Sequence, residues 1–247
     1  MGFLKHFFGS KLPPFDYGVF NTDIHSHLIP EIDDGSQSMD ETISLLRKFK
    51  EMGYKKVITT PHVMSDYYQN TPEIILGGLE KVRTKIREMS LDIEIDAAAE
   101  YYYDEFLIQK ILNKEVLTFA GDYLLFEFSF TAKPTNVSEL IFTLKTNDYK
   151  PILAHFERYP YYFNDGLEKA KEFRDQGVLI QLNLTSLAGH YGKKVVEQAQ
   201  MLVDNGLVDV VGSDCHRIDH LNMMEDNNTN EYLHKLGEMD LLNKRVL

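Results

Sequence analysis

Short apolar runs alternate with amphipathic stretches along the whole chain, the pattern of repeated β/α units. A first strand runs into Asp23. Ser38, with Glu41 three residues on, forms a capping box that opens a helix. Ile43, Leu46, Phe49 and Met52 give that helix one apolar stripe, and Gly53 stops it. Runs at 55–60, 91–100, 123–128, 151–155, 178–183 and 207–214 predict six further strands. Thr71-Pro72-Glu73 starts a second helix with proline at the first helical position. A short helix follows the third strand and another covers 136–147. Helices ending near Gly177 and Gly206 come next, and a polar stretch after His216 leads to a last helix. The runs are apolar without alternation, as in a parallel sheet covered on both faces. Seven such units are too many for a small open sheet. They predict a single-domain α/β fold close to a closed barrel. No linker, repeat or low-complexity block divides it, so we divide the chain into an N-terminal extension, 1–18, and one domain, 19–247.

The reactive side chains fall in a telling register on this pattern. His25 and His27 follow the first strand, and His62 follows the second. Glu100 closes the third, Glu127 lies near the end of the fourth, and His155 closes the fifth. Asp214 and His216 follow the seventh. In a parallel barrel all these ends open on one rim, where active sites are built. Imidazoles and carboxylates without thiolates suit manganese, iron, zinc and similar cations in an open site. One such histidine would be an ordinary structural residue; five on one rim define a metal cluster. Asp34, in Asp33-Asp34-Gly35, is a further candidate ligand, although Asp-Gly is also a turn signal. His6, His190, His220 and His234 lie off the pattern and read as ordinary. Tyrosines 101, 102, 103, 159, 161 and 162 crowd the same loops and could wall a pocket or pack beneath it.

Charge and cysteine usage narrow the function. A net charge of −12 argues against nucleic acid as partner, because phosphate-backbone binding needs clustered Lys and Arg. The single cysteine, Cys215, excludes an internal disulfide and suits a reducing, cytoplasmic setting. Position 221 is Leu221, so the Cys-x5-Arg cradle of thiol phosphatases is missing, and no Gly-x-Ser-x-Gly elbow or phosphate-binding glycine loop occurs. No run of 18 apolar residues exists, so no membrane-spanning helix is expected. The first ten residues do not read as a signal peptide. Phe3, Leu4, Phe7 and Phe8 are expected to pack back on the domain rather than meet a membrane or a partner.

The motifs Asp23-Ile24-His25-Ser26-His27, Asp33-Asp34-Gly35, Thr60-Pro61-His62, Ala99-Glu100-Tyr101-Tyr102, Phe126-Glu127-Phe128-Ser129, Ala154-His155-Phe156-Glu157-Arg158-Tyr159 and Ser213-Asp214-Cys215-His216 occur in that order. Over about residues 20–217 the chain resembles the polymerase and histidinol phosphatase (PHP) superfamily. Within it, the chain is most similar to the bacterial manganese-dependent tyrosine phosphatases of capsule and exopolysaccharide production. That resemblance implies a distorted (β/α)7 barrel of TIM-like type carrying three metals: one held by His25, His27, Glu100 and Asp214, a second by Glu100, Glu127 and His155, and a third by Asp34, His62 and His216. Manganese is the expected metal, with iron, zinc, cobalt or magnesium as alternatives. Arg158, His155 and Asp214 are implied as catalytic, with Arg158 binding the substrate phosphate. The implied substrate is a phosphotyrosine protein, such as a membrane-associated tyrosine kinase. The rival readings are a phosphatase of small phosphomonoesters such as histidinol phosphate and a non-catalytic binding module.

Overall fold

In a computed structural model, residues 12–246 are described. Phe3, Leu4, Phe7 and Phe8 lie outside them. The strands are β1 (Thr22–Asp23), β2 (Lys56–Thr59), β3 (His62–Val63), β4 (Glu94–Ala97), β5 (Glu100–Tyr102), β6 (Tyr123–Glu127), β7 (Lys150–Leu153), β8 (Leu179–Asn183) and β9 (Val210–Gly212). The helices are α1 (Met39–Glu51), α2 (Pro72–Glu88), α3 (Leu107–Leu112), α4 (Val137–Thr146), α5 (Gly166–Asp175), α6 (Leu184–Leu187), α7 (Lys193–Asp204), α8 (Ile218–Asp226) and α9 (Glu231–Glu238). All pairings between strands are parallel, in the orders β1-β2-β4 and β3-β5-β6-β7-β8-β9.

Nine strands make seven staves, because the second and third expected strands are each broken in two. Pro61 causes the break: it has no N–H to give to the ladder. The ladder resumes where Glu100 N donates to Pro61 O at 3.1 Å. The last stave then meets the first. Asp214 N donates to His25 O at 2.8 Å, His27 N donates to Cys215 O at 2.9 Å, and Ser26 and Cys215 form a parallel bridge. At the other end of this seam Asn243 donates from Nδ2 to Thr22 O (2.9 Å) and Val211 O (2.7 Å) and accepts from Val211 N (2.9 Å). The ring is thus closed by a few bonds at each end.

Ile24, Ile58, Leu125, Ile152 and Val210 form a core of their own, with Leu242 and Val246 packed into it. A larger core lies between staves and helices, including Leu46 and Phe49 of α1 and Leu202 of α7. The capping signals operate much as expected. Ser38 Oγ accepts from Glu41 N, while the Glu41 carboxylate reaches Gln37 N at 2.8 Å rather than Ser38 N. Gly53 adopts φ +99° just past α1, a conformation costly for any other residue. The stretch after His216 is more ordered than its polarity indicated: α8 begins at Ile218 and buries His220, Leu221 and Met224. The chain before β1 packs too, with Tyr17 buried and its hydroxyl donating to Met224 O. No helix among the described residues is long and apolar enough to cross a membrane.

Candidate metal centre and active site

The C-terminal ends of the staves converge on a cleft of about 350 Å³. His25 Nε2 lies 3.2 Å from Glu100 Oε2 and 3.4 Å from Asp214 Oδ1. His27 Nε2 is 3.5 Å from each of the same two oxygens. His155 Nε2 is 2.9 Å from Glu100 Oε1 and 3.5 Å from Glu127 Oε2. His62 Nδ1 is 3.1 Å from Glu100 Oε2 and 3.3 Å from Glu127 Oε1, and Asp34 Oδ1 lies between His62 Nε2 (3.6 Å) and His216 Nε2 (3.4 Å). Glu100 is the hub, facing four imidazoles from a fully buried position.

All nine candidate ligands therefore meet in one place, distributed over four sets whose donor atoms lie within 4.8 Å of one another. His27 stands among Asp34, His62 and His216 as well as beside His25 and Glu100. The donor chemistry fits bound cations: Glu100 Oε2 and His62 Nδ1 are buried, face each other, and have no hydrogen-bond partner.

Two of these residues owe their aim to unusual backbone. His155 (φ 32°) and Asp214 (φ 51°) both occupy the left-handed region at the ends of β7 and β9. Such conformations are uncommon outside glycine and cluster at functional sites. At His155 the turn sends the imidazole into the cluster, and Arg158 N donates back to His155 O at 2.9 Å. Arg158 then reaches over the cleft, where Nη1 donates to Asp214 Oδ2 at 2.9 Å. Its guanidinium lies between two rings, 4.4 Å from the Phe130 centroid and 4.0 Å from that of Tyr191, a cation–π sandwich. The Tyr191 hydroxyl donates to the same Asp214 oxygen at 3.3 Å.

The charges follow from this geometry. Burial raises the Glu100 and Asp214 pKa values, but the surrounding imidazoles outweigh it and hold both carboxyls well below their ordinary range. Glu127 is raised by burial and by Glu100, yet His155 and His62 bring it below its ordinary value. Burial and Arg158 push His155 down, and Glu100 and Glu127 more than offset them, leaving its pKa at about 9. Asp34 is drawn down to about 2, chiefly by its hydrogen bond with His216. Cys215 is buried beside these groups, and burial pushes its thiol pKa up, the opposite of an activated nucleophile.

Asp33 and Gly35 add what the motif reading missed. Asp33 Oδ2 is 2.8 Å from His27 Nδ1 and also accepts from His62 N at 3.1 Å, so Asp33 orients two ligands. Its other oxygen accepts from Gly35 N at 3.0 Å. A Cβ on Gly35 would sit 2.2 Å from His27 O and 2.4 Å from His27 Cβ. Gly35→Ala is accordingly expected to destabilise the protein by about 1–3 kcal/mol, the usual cost of overpacking. It should also weaken metal binding by displacing His27; parallel melting curves and metal titrations check both.

His190 and His220, read above as ordinary, line the cleft, as do Tyr68, Tyr191, Phe130 and Arg217. Burial brings the His220 pKa down to about 4. His234 does belong elsewhere, with Nε2 against Pro13 O at 3.1 Å, and His6 lies outside the described residues. Of the six crowded tyrosines only Tyr102 faces the cleft. Tyr101, Tyr159 and Tyr162 are buried beneath the rim, where the Tyr159 hydroxyl oxygen accepts from Phe128 N at 3.0 Å. Asp23, the acid of the first motif, is bonded to Ser213 rather than to a candidate ligand side chain. It accepts from Ser213 N (2.8 Å) and Oγ (3.1 Å), tying the first stave to the last, and burial lifts its pKa to about 7.

The fold and the site together define a parallel β/α barrel whose rim carries a histidine–carboxylate cluster able to hold metal ions. The chain belongs to the CpsB/CapC family of capsular polysaccharide synthesis, whose family model matches residues 21–241. It is 28% identical over 236 residues to the putative tyrosine-protein phosphatase CapC of Staphylococcus aureus, covering 91% of this chain and 92% of that one. It is 29% identical over 203 residues to the tyrosine-protein phosphatase CpsB of Streptococcus pneumoniae, covering 80% and 83%. A solved structure from work on YwqE of Bacillus subtilis and CpsB of S. pneumoniae, described as unique metal-dependent tyrosine phosphatases, shares the fold. Its TM-score is 0.76 at 23% identity, over 92% of this chain and 96% of that one.

Proposed function

We propose that this chain is a metal-dependent protein-tyrosine phosphatase that opposes a bacterial tyrosine kinase in capsule or exopolysaccharide production. The observation that carries the chemistry is the convergence of nine ligand side chains with Arg158 beside them, one of whose N–H groups meets the outer oxygen of Asp214. The phosphotyrosine specificity is carried over from the named activity of its relatives. His25, His27, Glu100 and Asp214 would hold one cation, Glu100, Glu127 and His155 a second, and Asp34, His62 and His216 a third, with manganese the metal we favour. Bound cations supply activated water and charge stabilisation at phosphorus. Arg158 binds the phosphoryl oxygens, and its two flanking rings fix where that charge sits. Asp214 serves both sides, Oδ1 facing His25, His27 and His216 and Oδ2 facing Arg158. The leaving phenol, with a pKa of about 10, departs more easily than an alkoxide.

A polypeptide substrate suits the surface around the cleft. Met64 lines both the cleft and a neighbouring groove, whose far wall is the half-exposed Phe106 with Lys110 beside it. Asp104 holds that groove in shape, accepting from Ser65 N at 3.1 Å and from Phe106 N at 2.9 Å. Residues next to the phosphotyrosine would lie there. The membrane-associated kinase would be met from the cytoplasm.

The test is a substrate panel: phosphotyrosine and phosphoserine peptides, histidinol phosphate and a simple aryl phosphate, each with and without manganese. Metal-dependent preference for the phosphotyrosine peptide is expected. Preference for the small phosphomonoester would replace this reading with the metabolite one, and no turnover by metal-loaded protein would leave a binding module. In the same panel Phe106→Ala should lower kcat/KM for the peptide by about tenfold, roughly 1.4 kcal/mol, and spare the aryl phosphate.

A further inference from the structure

One stave gives the cluster no ligand. β8 reads as an apolar strand, yet it buries two amides, Gln181 and Asn183, on the same face two residues apart. They lie between His155, after β7, and Asp214, after β9. Buried amides are retained only where their hydrogen bonds are made, and here the bonds form one chain. His155 N donates to Gln181 Oε1 at 2.7 Å. Gln181 Nε2 donates to Asn183 Oδ1 at 2.9 Å, and Asn183 Nδ2 donates to Asp214 Oδ2 at 2.7 Å.

The direction of this chain is fixed from its start. A main-chain N–H can only donate, so the atom it meets on Gln181 is the carbonyl oxygen. The Gln181 amide nitrogen must then face Asn183, whose own nitrogen must face the carboxylate. Neither amide has a second orientation that keeps these bonds. The consequence falls on His25, whose Nδ1 lies 3.1 Å from the same Gln181 oxygen. That oxygen only accepts, so Nδ1 carries the hydrogen. Nε2, 3.2 Å from Glu100 Oε2 and 3.4 Å from Asp214 Oδ1, is left as the donor atom for a cation.

We propose that Gln181 and Asn183 are positioning residues of the metal centre: the first fixes the tautomer of His25, and the second fixes which oxygen of Asp214 faces the cluster. The pair has no room to do otherwise. A Cβ on Gly212 would lie 2.5 Å from His25 Cβ and 3.0 Å from Gln181 Nε2, so β9 presses both side chains into place. The inference rests on the metal reading of the cluster and goes beyond it, because neither amide binds metal or substrate.

The experiment pairs manganese titrations of the wild type and Gln181→Met with nitrogen-15 spectra of the histidine rings in zinc-loaded protein. The expected wild-type spectrum shows His25 with its hydrogen on Nδ1. Gln181→Met should bind manganese about 10–100-fold more weakly, as for other partners of ligating histidines, and the Nδ1 hydrogen of its His25, left without the Gln181 acceptor, should exchange faster with solvent. A purely structural role would lower the melting temperature and move neither readout. Equal affinities in the two proteins, or a wild-type His25 with Nδ1 bare, would overturn the inference alone. If Gln181→Met fails to fold, the wild-type spectrum decides. Failure of the wild type to bind either metal would overturn the metal reading and this inference with it.

Discussion

Asp214→Ala abolishes phosphotyrosine hydrolysis and strips metal from the protein: this is the largest effect the structure leads us to expect. Asp214 is buried, and its oxygens are shared between three imidazoles on one side and Arg158, Asn183 and Tyr191 on the other. Removing it also leaves Arg158, which is only partly buried, without its carboxylate partner. Losing even an outer partner of a metal ligand costs 10–100-fold, so losing this ligand should cost more than about 100-fold in metal affinity. His155→Ala should behave alike, since His155 joins Glu100 to Glu127. Metal analysis of the purified variants, read beside peptide turnover, checks both. Full activity in a metal-depleted variant would sink the proposed chemistry.

Arg158→Ala should separate charge stabilisation from metal binding. Turnover is expected to fall by about 10²–10³-fold, the usual cost of removing one donor aimed at developing charge. Metal content should stay near wild type, because Asp214 keeps its bonds to Asn183 and its imidazole neighbours. Arg158→Lys is expected to recover little, since an ammonium cannot fill the planar slot between Phe130 and Tyr191. Loss of metal along with turnover would recast Arg158 as a structural counter-charge for Asp214.

Much of this was legible in the sequence because parallel barrels turn strand order into spatial convergence. The strand-end register picked out the rim on which the nine candidate ligands meet. Other features were hidden for physical reasons. The breaks near Pro61 and Ala98 leave the apolar pattern unbroken, since residues on both sides remain buried. Asp33 gave only a turn signal, because its work on His27 and His62 depends on where the loop folds back. Tyr191, His190 and His220 come from segments around α6 and α8 that carry no strand-end signature. Gln181 and Asn183 did leave a trace: two amides inside an apolar run are costly unless partnered.

The left-handed backbone at His155 and Asp214 bears on how this barrel could decay. Those two positions are ones that glycine or asparagine occupies with less strain. Drift toward the more comfortable residue would relax the chain and silence the cleft in the same step. A lineage released from capsule production would therefore be free to keep the barrel and lose the enzyme. Such descendants would be marked by altered residues at these two turns inside an otherwise intact scaffold.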